Sequence, residues 1–90
     1  MTEYQITCIK QAGGTGHEHI VSVGVGPARK FFTVVEVITM LRRMDRFFVS
    51  DGVNKAYVQE VKVMAQEYGY IRTFRDRTPT DNLLSLPQCP

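Results

Sequence analysis

The chain has 90 residues, 43% of them hydrophobic and 22% charged, and its eleven basic and nine acidic side chains leave a net charge of +2. That length suits one domain and is too short for two. A chain so short buries only about 60–65% of its unfolded surface, which argues against a large enclosed active-site cavity. Mild basicity allows contact with nucleic acid without demanding it, and the longest same-sign run, Arg42-Arg43, excludes a charged tail.

Tyr4 to Lys10 alternates as a strand, with Tyr4, Ile6 and Cys8 on one face. The glycine-rich stretch Gln11 to Gly16 then reads as a loop. His17 to Val25 alternates again: His17, His19, Val21, Val23 and Val25 point one way, and Glu18, Ile20, Ser22 and Gly24 the other. The loop is short enough to join the two strands as an antiparallel hairpin. Gly26-Pro27 ends the second strand, because proline cannot donate to a ladder.

Thr33 to Met44 is the one convincing helix, with Val34, Val37, Ile38, Leu41 and Met44 as its apolar stripe. Thr33 and Glu36 have the spacing of a capping box, and Arg42 and Arg43 favour the last turn. The helix is rich in β-branched residues and needs a sheet to pack against. Phe31-Phe32 and Phe47-Phe48 bracket it, and one ring of each pair is expected in the core. Three strands follow: Phe47–Ser50, Tyr57–Ala65 and Tyr70–Arg75. The expected fold is α+β: a five-stranded antiparallel sheet, strongly twisted or barrel-like, with one helix, in the order ββαβββ. Residues 76–90 form a C-terminal tail whose three leucines, Leu83, Leu84 and Leu86, are expected to fold back over the sheet or an open end of the core.

Tyr70-Ile71-Arg72-Thr73, Asp76, and the ending Asp81-Asn82-Leu83-Leu84-Ser85-Leu86-Pro87-Gln88-Cys89 resemble a family of small bacterial and archaeal proteins catalogued as domain of unknown function 3892. Ile6-Thr7-Cys8-Ile9 and His17-Glu18-His19-Ile20 resemble that family's first hairpin. The resemblance implies a stand-alone prokaryotic single domain and implies no activity.

The two cysteines, Cys8 and Cys89, lie at opposite ends of the chain, and the N-terminus lacks the basic and apolar blocks of a secretory signal. The expectation is a reduced cytoplasm with both thiols free. No apolar run approaches the roughly 20 residues of a membrane span.

Two constellations bear on function. Cys8, His17 and His19, with Cys89 swinging in on the tail, carry zinc-donor chemistry, and a hairpin symmetric about its loop would set Cys8 opposite His19 and Lys10 opposite His17. The spacing matches no recognised zinc pattern, so the plainer reading makes Cys8 a core residue and gives the histidines hydrogen bonds near the hairpin mouth. A Cys–His nucleophile pair is opposed by the same core placement. The second constellation is Arg72, Arg75 and Arg77 interleaved with Tyr70 and Phe74, which on an exposed sheet face would stack single-stranded bases. Its plainer reading buries Tyr70 and Phe74 and pairs the arginines with Asp76, Glu60 or Glu67. No convergent set of acid, base and nucleophile is identifiable. A non-catalytic binding module for protein or nucleic acid therefore leads, with a metal-binding or thiol-dependent protein as the alternative. No cofactor is expected, zinc belonging to that alternative alone.

Overall fold

The computed structural model describes residues 2–26, 30–50, 52–75 and 77–89. In chain order these form β1 (Glu3–Gln11), a 3-10 turn (His17–His19), β2 (Ile20–Val25), β3 (Lys30–Thr33), α1 (Val34–Arg42), β4 (Arg46–Ser50), β5 (Lys55–Val61), β6 (Tyr70–Arg75) and β7 (Thr78–Thr80). The strands make one sheet in the order β3-β2-β1-β4-β5-β6-β7. Neighbours are antiparallel except β1 and β4, which run parallel through Glu3–Arg46, Tyr4–Phe47 and Gln5–Phe48.

The α+β class holds, but the sheet is mixed and seven-stranded, not five-stranded and antiparallel, and it does not close into a barrel. A parallel pair requires a crossover connection, and the segment containing α1 supplies it, returning the chain beside β1 in the same direction. The two unforeseen strands are the short edges. β3 is four residues with no apolar alternation, and β7 is three residues in which Pro79 is tolerated because it lies at an edge.

Two bulges decide which side chains face inward. In β1, Ile6 pairs with Val25 but Cys8 with Gly24, so Thr7 is an extra residue. Ile9 thereby joins Ile6 on the core side and Cys8 turns to the opposite face, correcting the expectation that Tyr4, Ile6 and Cys8 share one face. In β2, Lys10 pairs with Ser22 but Gln11 with Ile20, so Val21 is extra. Ile20 is buried and Val21 is exposed, the reverse of simple alternation. His17 to His19 form a tight turn before the strand instead of its first residues.

The helix starts where its cap dictates. Thr33 Oγ1 accepts from the Glu36 amide at 3.1 Å, and the Glu36 carboxylate accepts from the Thr33 amide at 2.9 Å. The helix stops at Arg42, two residues short of expectation, as Met44 adopts φ 73°. Val37 and Ile38 enter the core with Ile6, Ile9, Phe47 and Ile71. Phe47 is the buried ring of its pair, stacked on Tyr4 at 5.0 Å, and Phe32 meets it edge-on at 6.0 Å. β5 begins and ends earlier than expected, at Lys55 and Val61, and Ala65 lies beyond it at φ 66°.

Past β7 the chain turns through residues 81–86, and Leu83 is fully buried in the core. Residues 87–89 then run along β1: the Ile9 amide donates to the Pro87 carbonyl at 3.0 Å, and the Cys89 amide donates to the Ile9 carbonyl at 2.8 Å. β1 is thus flanked on one edge by β4 for its first residues and by the tail further along.

Candidate nucleic-acid interface

Strand alternation sorts β4, β5 and β6 into two faces. Phe47, Val49, Ala56, Val58, Ile71 and Thr73 are buried on the helix side. Arg46, Phe48, Lys55, Tyr57, Tyr70, Arg72 and Phe74 fall on the other, together with Glu3 and Gln5 of β1. Tyr70 and Phe74 are therefore on the outward, half-buried face and not in the core. That overturns the plainer sequence reading of these two rings.

Pairing aligns the rings. Gln5, Phe48, Tyr57, Phe74 and Pro79 are successive partners across β1, β4, β5, β6 and β7, so three aromatic side chains stand in one row. Phe48 and Tyr57 have centroids 6.0 Å apart. Cations flank the row: Lys55 Nζ lies 4.4 Å from the Phe48 ring centre, and the Arg46 guanidinium lies 5.5 Å from that of Tyr57. One carboxylate, Glu3, serves both, at 3.8 Å from Lys55 and 4.0 Å from Arg46. These contacts are partly exposed and loose, so the cations are held near the rings without being consumed by a tight ion pair.

The three arginines singled out in the sequence do not form one patch. Arg72 is on the outward face and bonds Asp81 at 3.1 Å and the Thr80 carbonyl at 3.2 Å. Arg75 falls on the opposite side of β6 by alternation, and Arg77 is exposed in the β6–β7 turn at φ 67°. The expected pairing to Glu60 or Glu67 is also corrected: the Glu60 carboxylate is held bidentately by Arg42, at 2.9 and 3.1 Å, and the Glu67 carbonyl accepts from the same guanidinium. That pairing, with the Gly69 amide at 3.1 Å, holds the Glu60 carboxyl below its usual range. Asp76 lies outside the described residues. Arg46, Lys55, Phe48 and Tyr57 are the residues of this candidate site that sequence reasoning missed. The Phe47-Phe48 alternation signals an outward ring, but the register that lines it up with Tyr57 and Phe74 is not local information.

The histidine–cysteine constellation takes a different form. Cys8 and Cys89 are joined as a disulfide, which corrects the expectation of two free thiols. Cys8 faces Gly24 and not His19, and Lys10 faces Ser22 and not His17. His19 lies 3.6 Å from Glu18. His17 is buried, its ring 6.5 Å from Tyr70 and its Nε2 3.9 Å from Asp81. Among the described residues no three His, Cys, Asp or Glu side chains are grouped so as to hold a metal ion. A cleft of about 640 Å³ between the end of α1 and β5 is lined by the charged residues Arg42, Asp45, Arg46 and Glu60, of which Arg42 and Glu60 are engaged with each other.

Among the described residues no helix is long and apolar enough to cross a membrane. Neither a curated protein nor a solved structure matches the chain. A family model does match over residues 5–87, from within β1 to Pro87, and the chain therefore belongs to the family of proteins of unknown function DUF3892.

Proposed function

We propose that the protein is a binding module for single-stranded nucleic acid, with the outward face of β4, β5 and β6 as its platform. The observation that carries this reading is the in-register row Phe48–Tyr57–Phe74 flanked by Lys55, Arg46 and Arg72. Aromatic rings on a sheet offer stacking surfaces to unpaired bases, and neighbouring cations neutralise the phosphates that link them. A duplex buries its base faces and gives such a row nothing to stack on. Among the described residues, the carboxylate that a phosphate approaching Lys55 or Arg46 must displace is that of Glu3, at 3.8 and 4.0 Å. The alternative, zinc or thiol chemistry at Cys8, His17 and His19, gains no support from this geometry, because the Cys8 sulfur is bonded to Cys89.

Fluorescence anisotropy with labelled oligouridylate and oligothymidylate tests the reading. Affinity is expected to fall steeply between roughly 50 and 200 mM salt. Tyr57→Ala and Phe74→Ala should each weaken binding by about 1–3 kcal/mol, and Lys55→Glu should flatten the salt dependence. Circular dichroism of each variant checks that the fold is intact. No anisotropy change at low salt with either probe, or binding indifferent to all three substitutions, would end the proposal.

A further inference from the structure

We propose that residues 87–89 are a redox-controlled latch: a dithiol reductant opens the Cys8–Cys89 disulfide and releases this segment from the edge of β1. Four features support it. The backbone bonds holding the segment to β1 among the described residues are Ile9 to Pro87 and Cys89 to Ile9, assisted by the Gln88 amide donating to Gln11 at 2.8 Å. So short a pairing is weak without a covalent tie. The chain just before it is anchored independently, since Leu83 is fully buried and Asp81 bonds Arg72. Opening is therefore confined to residues 87–89 and leaves the core closed. The bond itself sits on the outward face of β1, over Gly24, where a side chain would collide with the Cys8 sulfur. Finally, the two residues differ in burial, Cys8 being 5% exposed and Cys89 only partly buried.

That difference directs the chemistry. A thiolate of the dithiol attacks Cys89 Sγ, the S–S bond breaks, and the electron pair leaves on Cys8 Sγ, which takes up a proton. The second thiol of the reductant then attacks the mixed disulfide and expels the Cys89 thiolate, which is protonated in turn. Two electrons pass from the dithiol, which becomes a disulfide, to the protein, which gains two thiols. With residues 87–89 released, the Ile9 N–H and C=O lose their partners and β1 acquires a free edge, the kind of surface to which another strand adds.

Hydrogen exchange followed by NMR or mass spectrometry, on the oxidised protein and after treatment with dithiothreitol, reads the latch. On reduction the Ile9 amide should speed up about tenfold or more beyond whatever global acceleration the β5 and β6 amides show, and reoxidation should restore it. Cys89→Ser should show the fast Ile9 amide with or without reductant. Three results would overturn the proposal: a disulfide that survives millimolar dithiol without denaturant, an Ile9 amide that on reduction or by Cys89→Ser speeds up no more than those of β5 and β6, or loss of the native far-ultraviolet spectrum on reduction.

Discussion

His17 shows how one position couples local burial to the behaviour of the fold. Its imidazole is packed beside Tyr70, and burial pushes it below its ordinary value of 6.5, with the Arg72 guanidinium acting in the same sense. Asp81 and Glu18 pull the other way without reversing the shift. The unfolded chain thus binds a proton at a pH where the folded one does not. Its stabilising effect is complete above 6.5 and is lost as pH falls from there through the lower folded value. Urea midpoints measured on either side of 6.5 should fall with acidification in the parent protein, and His17→Gln should flatten that slope. Glu60, held below its ordinary 4.5 by Arg42, contributes its own loss only at lower pH, so the two windows separate.

Individual elements test whether local rules or tertiary contacts hold the parts in place. The capping box predicts that Thr33→Ala costs about 1 kcal/mol in chemical denaturation. Thr39→Ala is the control: its exposed hydroxyl bonds the Val35 carbonyl one turn back in the same helix, and its loss should change little. Elements ruled by such short-range signals were legible in the sequence. The helix start follows from Thr33 and Glu36, and β6 runs from Tyr70 to Arg75 with Ile71 and Thr73 buried, as its alternation requires. Where a bulge adds a residue, period-two reading fails from that point onward. Thr7 reverses the face of Cys8, and Val21 exchanges places with Ile20. No property of threonine or valine announces a bulge; the pairing partner imposes it. The candidate interface was half legible for the same reason. Tyr70, Arg72 and Phe74 share a strand and could be grouped, whereas Phe48 and Tyr57 join them only through register across β4 and β5.

For the molecule as a whole, the Cys8–Cys89 bond closes a loop across a sequence separation of 81. Restricting the unfolded chain over that span is worth about 4.5 kcal/mol in the loop-entropy model. The Cys8→Ser/Cys89→Ser double variant, compared with the oxidised parent in urea unfolding, should lose stability of that order while keeping the native far-ultraviolet spectrum. The measured loss will be smaller to the extent that the reduced unfolded state is already compact.

The divided edge of β1 also bears on how the chain reaches this state. Glu3 must wait for Arg46, and Ile9 for Gln88, before that edge is filled. Encounters between such distant segments are slow, and during synthesis that edge of β1 stays half-filled until the strip around Gln88 has been made. In that interval the open edge of β1 is exposed to mispairing with a neighbouring copy.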